Sequence, residues 1–131
     1  LRATRLPVRL LLRIRTWYCR TMAVLFCSVD VCRASQDEIA DYFETAANDY
    51  ILRLTPLAAV AKNPGLYSCI LDTCMTWLAL FPAIRCLFVE CDASQLRLQQ
   101  ALEKAGFTCI HHINTEYKNS KLYSYTMGPH H

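Results

Sequence analysis

Glycine is scarce in this chain of 131 residues, three in all, and charged residues make up only 19% of it. With no glycine at every third position a collagen helix is excluded. A chain that is 53% hydrophobic with so little charge is neither disordered nor a coiled coil. Long apolar runs are missing too. Runs such as Leu10-Leu11-Leu12 and Ala23-Val24-Leu25-Phe26-Cys27 are far short of the roughly 20 residues of a bilayer-spanning helix. There is no Cys-x2-Cys pair, no Gly-x-Ser-x-Gly, no Walker loop and no His-Glu-x-x-His.

Acidic residues are absent before Asp30, whereas Arg2, Arg5, Arg9, Arg13, Arg15 and Arg20 all precede residue 22. The rest of the chain carries eight basic against eleven acidic side chains. The body is mildly acidic, which argues against a nucleic-acid surface outside the arm. Residues 1–22 lack the apolar centre of a secretory signal and the serines of a transit peptide. They read as an extra strand, or as sequence upstream of a start at Met22. Residues 23–128 form one expected domain and 129–131 a tail, whose two terminal histidines make a weak metal argument.

Eight cysteines are present, and most lie in apolar runs such as Cys-Leu-Phe-Val-Glu-Cys at 86–91. A reduced thiol there is a small buried hydrophobe. The reading is of reduced core cysteines, with Cys69, Cys74, Cys86 and Cys109 buried and unpaired, no metal, and a cytoplasmic address.

Val24–Cys32 alternates apolar and polar residues, the mark of a strand. Ser35 stands three residues before Glu38, a capping-box spacing that opens an expected helix over Gln36–Ala47 with Ile39, Tyr42, Phe43 and Ala46 on one face. Asp49–Leu57 is extended. Asn63-Pro64-Gly65 is a sharp turn that opens a helix over Leu66–Leu80, its core face carrying Ile70, Leu71, Cys74, Trp77 and Leu78. Ile84–Cys91 reads as a buried strand. Ser94 is the expected cap of a helix over Gln95–Ala105 with Leu96, Leu98 and Leu102 inward, and Gly106 ends it. Strands at Phe107–Ile113 and Lys121–Met127 flank a polar turn. This order implies an α/β or α+β architecture, a mixed central sheet covered by helices, with Asp49–Leu57 and Ile84–Cys91 adjacent and parallel.

A strand, a glycine turn and a helix start point backbone N–H groups and the positive helix end at one spot, an anion site. The alternative is an ordinary turn. The turn–helix, the strand ending Phe88-Val89-Glu90-Cys91-Asp92, and the stretch Leu102-Glu103-Lys104-Ala105-Gly106-Phe107 together resemble the second half of the Gcn5-related N-acetyltransferase superfamily. Within it, Asp49–Leu54 and Val89–Asp92 resemble the siderophore-type enzymes that acylate a lysine-like or hydroxylated amine. The resemblance covers about residues 24–127, with less chain ahead of it than the family's first strand and helices occupy, so the fold is expected to be N-terminally truncated or completed by a partner.

The resemblance implies acetyl-CoA as co-substrate, held at Asn63, Gly65, Leu66, Tyr67, Ser68 and Val89. It implies Asp92 as handler of the acceptor's proton and Arg53 as an anchor for an acidic substrate group, with no metal, a small-molecule amine acceptor, no membrane and a homodimer. The departures are Arg53 in place of a histidine, Cys91 in place of a proline, and Pro64 and Tyr67 in the loop, where one removes a donor and the other would crowd a phosphate. On the residues alone, Asp92 reads equally as a helix N-terminal carboxylate, and Arg53 as the partner of Asp49 or Asp92. His111 and His112 alternate across a strand and read as surface histidines. A degenerate module of the same fold, acting by binding or dimerisation, is the competing function.

Overall fold

A computed structural model describes residues 11–16, 19–24, 27–56 and 63–127. Within them the alternating apolar runs become strands of one seven-stranded sheet, joined at its centre by a helix. Four antiparallel neighbours come first: β1 (Leu11–Thr16), β2 (Cys19–Val24), β3 (Cys27–Arg33) and β4 (Asp49–Pro56). Helix α1 (Pro64–Leu78) leads to β5 (Cys86–Asp92), helix α2 (Leu96–Lys104) to β6 (Thr108–Asn114), and a tight turn to β7 (Asn119–Thr126). The strand order is β1-β2-β3-β4-β5-β7-β6. As expected from the sequence, β4 and β5 are adjacent, parallel and bridged by α1.

Both helices lie on one face of the sheet. Ile70, Leu71, Cys74 and Leu78 of α1, and Leu98, Ala101 and Leu102 of α2, are buried with Leu52, Leu87, Val89 and Tyr123 in one cluster. Truncating Leu71, fully buried there, is expected to cost about 2–5 kcal/mol. Strand alternation sends Ile51, Phe88, Ile113 and Leu122 to the opposite face. There they pack with Ala34, Ile39 and Phe43, whose ring meets Phe88 edge-on at 5.7 Å. Helix α2 ends by a hydrogen-bond pattern that needs glycine: Phe107 N–H reaches Leu102 O at 2.9 Å and Gly106 N–H reaches Glu103 O at 3.1 Å, with Gly106 at φ 100°.

Several expectations are corrected. The segment read as a helix over Gln36–Ala47 forms two short 3-10 turns, Ala34–Gln36 and Glu38–Asp41. Asp37 is extended between them (φ −101°, ψ 157°) and its carboxylate accepts from Ile39 N–H, so the cap sits two residues beyond Ser35 and the extended Asp37 breaks a continuous helix. Of the supposed inner face only Ile39 is buried, while Phe43 is half-buried and Tyr42 and Ala46 are exposed. Ser94 does not cap α2. Gln95 is the cap residue and Ser94 turns back to Asp92, which leaves Leu96 63% exposed rather than inward.

Not all cysteines are reduced: Cys19 and Cys32 form a disulfide. They are register partners across β2 and β3 with Cα atoms 4.0 Å apart, a juxtaposition of strands that sequence spacing does not reveal. Cys69, Cys74, Cys86 and Cys109 are unpaired as expected, but only Cys74 is buried; Cys69 and Cys86 are half-buried and Cys109 is exposed at the sheet's edge. Burial pushes the Cys74 and Cys91 thiols up to about 12 and Cys27 to about 11. Thiol titration of native, unreduced protein is therefore expected to label Cys109 first, and to reach six thiols only on unfolding. Eight thiols without reductant would show that the disulfide does not form in solution.

Candidate active site

The β4–β5 ladder contains four residue pairs, from Asp49↔Cys86 to Leu52↔Val89, and stops. Strand β4 continues to Pro56 paired only with β3, and β5 continues to Asp92 paired only with β7. Beyond Leu52 and Val89 the two strands part, and the backbone edges facing that gap have no ladder partner across it. Such N–H and C=O groups are strong and must be satisfied by a ligand or by water.

Arg53 and Glu90 are the first residues past the last pair, and alternation directs both away from the helices. Their side chains meet across the gap, Arg53 Nη1 donating to Glu90 Oε1 at 2.6 Å. The same guanidinium grips Asp37 with two nitrogens, Nε to Oδ2 at 3.1 Å and Nη2 to Oδ1. Lys118, from the β6–β7 turn, donates to Glu90 Oε2 at 2.9 Å and to Glu38 Oε1 at 2.7 Å, and Ser120 Oγ donates to Glu90 Oε2 at 2.6 Å. Glu90 is only 5% exposed. Burial alone would raise its carboxyl, but the hydrogen bonds from Ser120, Lys118 and Arg53 outweigh burial and hold it below its ordinary value. Burial likewise works against the Arg53 and Lys118 cations, and their carboxylate partners reverse that.

The predicted site residues fall in three places. Asn63 caps α1, its Oδ1 accepting from Gly65 N–H at 3.2 Å, while Leu66 N–H bonds to Asn63 O at 3.1 Å. A Cβ on Gly65 would meet nothing nearer than that Oδ1, at 3.4 Å. Leu66 and Ser68 are half-buried. Tyr67 does not crowd a phosphate, being 4% exposed within the helix-face core. The Val89 side chain is also buried there, its backbone forming the last rung of the ladder. Asp92 stands apart at the exposed end of β5, accepting from Ser94 N–H at 2.9 Å and Ser94 Oγ at 2.6 Å, which lower its pKa. Arg53 pairs with Asp37 and Glu90 rather than with Asp49 or Asp92. Residues 57–62, the loop between β4 and the cap, lie outside the described residues.

Asp37, Glu90, Lys118 and Ser120 were not singled out from the sequence. One signal was available: a carboxylate inside the apolar run Cys86–Cys91 requires a buried partner. His111 and His112 are exposed as expected, His112 Nε2 bonding to Asn119 Oδ1. Among the described residues, no group of three or more His, Cys, Asp or Glu could hold a metal, and no helix is long and apolar enough to cross a membrane.

A sheet of this order, with a parallel pair that opens beyond its fourth rung, has the fold of the Gcn5-related acyl-CoA N-acyltransferases. An uncharacterized protein from Bacillus halodurans is similar at a TM-score of 0.72 and 17% identity, over 84% of this chain and 60% of its own. The aminoglycoside acetyltransferase AAC(6')-Ib, solved with paromomycin and acetyl-CoA, matches at 0.70 and 17% identity, over 83% of this chain and 65% of its own. The spermidine/spermine N-acetyltransferase SpeG from Vibrio cholerae matches at 0.65 and 11%, over 86% and 69%. The chain thus spans less than two thirds of the first two neighbours. No family model and no curated protein matches the sequence.

Because Glu90 titrates below its ordinary value, the stability it contributes is full above the unfolded carboxylate range, near pH 4.5, and falls as pH drops through its lowered folded value. Urea unfolding from pH 7 to 3 is expected to show that loss, and Glu90→Gln to remove it. Arg53→Met leaves Glu90 and Asp37 short of a cation. It should cost about 2 kcal/mol, less than the 3–5 of a fully buried pair, because Arg53 keeps 28% exposure.

Proposed function

We propose that the chain is an acetyl-CoA-dependent N-acyltransferase acting on a small-molecule amine. The observation that carries the reading is the β4–β5 ladder ending at Leu52↔Val89 just before Arg53 and Glu90. Acetyl-CoA supplies an acyl group activated as a thioester. The unpartnered backbone edges of the gap would hold the extended pantetheine arm, and an N–H there would receive the developing oxyanion. Asn63, Gly65, Leu66, Tyr67 and Ser68, at the positive end of α1, would take the pyrophosphate through their backbone.

An amine arrives as an ammonium and must lose a proton before it can attack. Asp37, Glu38 and Glu90 set three carboxylates against Arg53 and Lys118, a net negative charge beside the gap that attracts such a substrate. Glu90, held ionised, would orient the ammonium, and Arg53 would position Glu90. Asp92, exposed at the mouth, would pass the proton to water. The amine-acetylating neighbours support this acceptor class, since AAC(6')-Ib is named for aminoglycosides and SpeG for spermidine and spermine. The siderophore-type acceptor rests on Asp49–Leu54 and Val89–Asp92, where Arg53 and Asp92 are already committed to other partners. It enters as one substrate to assay among amines.

The same reading takes the chain to be cytoplasmic, where six unpaired cysteines are unremarkable. It also takes the chain as a homodimer, which light scattering would show. A second reading has its own observation. Asn63 Oδ1 already occupies Gly65 N–H, and Pro64 has none to offer, so the phosphate loop is depleted of donors. On that reading the chain is a non-catalytic module of the same fold.

Calorimetric titration with coenzyme A and acetyl-CoA separates the two. Saturable binding that is lost on replacing Gly65 by Trp supports the enzyme, and no binding at millimolar concentration supports the module. In the enzyme, Asp92→Asn should leave binding intact and lower turnover about 10²-fold. Glu90→Gln should raise KM for the amine more than for acetyl-CoA. Unchanged turnover for Asp92→Asn would remove its role.

A further inference from the structure

A tyrosine buried in a core ordinarily finds a partner for its O–H. Tyr123, 1% exposed, has one, its hydroxyl donating to Glu103 Oε2 at 3.5 Å. Tyr67, the fourth residue of α1, is 4% exposed, yet among the described residues its hydroxyl makes no hydrogen bond. Strand register locates that hydroxyl. Cys27 of β3 is the register partner of Pro56, on the stretch of β4 that has left β5, and Cys91 lies two residues beyond Val89 on the same face of β5. The Tyr67 hydroxyl is within electrostatic range of both thiols, which sets it between the diverging strands on the helix side of the gap. Arg53 and Glu90 hold the other side. Neither thiol serves as its partner, since Cys27 Sγ is turned to Ser28 O at 3.5 Å and Cys91 Sγ to Asp92 O at 3.5 Å and Gln95 O at 3.6 Å. Burial first, and the two thiols after it, push the hydroxyl above its ordinary value. At neutral pH it keeps its proton and is a donor.

We propose that the Tyr67 side chain is a ligand-binding group, and that its hydroxyl donates to an amide carbonyl of the pantetheine arm of coenzyme A where the arm passes through the gap. The assignment rests on the acyltransferase reading, and it gives Tyr67 a side-chain role distinct from its backbone N–H at the phosphate end of α1. A buried donor without a partner costs stability, so phenylalanine would serve the core better than tyrosine at this position unless something accepts from the hydroxyl. The surroundings select what that acceptor is. Cys27, Leu71, Val89 and Cys91 belong with Tyr67 to one apolar cluster, into which a phosphate could pass only by shedding its water, whereas a neutral amide carbonyl enters at far lower cost. An extended arm carrying amides can also pair with the free backbone edges of β4 and β5 as a strand does. The hydroxyl then adds one donor from outside the plane of the sheet.

The test compares the unaltered chain with Tyr67→Phe, which keeps the ring and its packing. Without ligand, Tyr67→Phe should melt at the same temperature as the unaltered chain or higher, because the substitution removes a donor that has no partner. Titration calorimetry should show coenzyme A bound about tenfold more weakly by Tyr67→Phe, the loss of one hydrogen bond. Adenosine 3′,5′-bisphosphate, which carries the nucleotide without the pantetheine arm, should not distinguish the two proteins. In protein labelled with carbon-13 at the tyrosine Cζ, coenzyme A should move the Tyr67 signal, identified as the one missing from Tyr67→Phe, and the bisphosphate should leave it in place. Equal affinities of the two proteins for coenzyme A overturn the proposal, as does a loss shared by the bisphosphate. A lower melting temperature for ligand-free Tyr67→Phe overturns it too, since the hydroxyl would then already be paired. The acyltransferase reading fails by a different result, the absence of saturable coenzyme A binding to the unaltered chain, and that result takes the proposal with it.

Discussion

Two strands that run side by side for four rungs and then part impose a condition on everything around them. A sheet ordinarily satisfies its backbone polar groups by its neighbours, and here β4 and β5 withdraw that satisfaction in the middle of the sheet rather than at its edge. The opening persists because each strand is held firmly on its outer side, β4 by seven register pairs with β3 and β5 by seven with β7. Helix α1 ties the two halves together across the break. Its buried residues share one cluster with Leu52 on one strand and Leu87 and Val89 on the other. A gap framed in this way cannot close without dismantling a ladder on one side, so it remains available to a ligand.

The ion network is the second consequence. A carboxylate as buried as Glu90 is costly unless its charge is matched and its lone pairs are filled, and three donors from three separate segments do this. Arg53 comes from β4, Lys118 from the β6–β7 turn and Ser120 from β7. Arg53 also reaches Asp37, and Lys118 reaches Glu38, which pins the short turns after β3 onto the face the helices leave uncovered. Lys118 adds a cation–π contact to Tyr42 at 5.3 Å. The segment whose pattern reads as a helix is held instead as a strap, because the carboxylate at residue 37 serves Arg53 and its own turn together.

What could be read from the sequence follows from what is local. The periodicity of α1, the continuous apolar run of β5 and the strand–helix–strand order require no knowledge of distant contacts, and they place the parallel pair correctly. The stretch Leu102–Phe107, the most specific part of the family resemblance, is also local. It is a helix stop in which Gly106 takes the left-handed conformation and Leu102 and Phe107 enter the core. Residue partnerships between strands were not readable. Cys19 faces Cys32, and Arg53 reaches Asp37 and Glu90, through register and strand order that spacing along the chain does not encode. The capping box at Ser35 and Glu38 failed for the same reason, since a distant arginine outbid the local helix for Asp37.

The same distinction bears on how far a fold argues for chemistry. The motifs that identify the fold here are packing devices: a helix stop, a buried strand and a crossover. Their core side chains, Leu87, Val89, Leu102 and Phe107, pack on the helix side of the sheet and would do so whether or not the chain turned over a substrate. Of the residues that face the gap, Arg53 departs from the pattern the resemblance supplies and Glu90 lies within the Val89–Asp92 stretch that carries it, while Asp92, which also matches it, is turned to Ser94. On the acyltransferase reading, the gap is where a thioester would enter and the ion network is the charge its acceptor would meet. A cationic amine can join that network by replacing one of the two cations at Glu90. An anionic acceptor would have to displace a carboxylate from Arg53 or Lys118, and the geometry favours the first exchange.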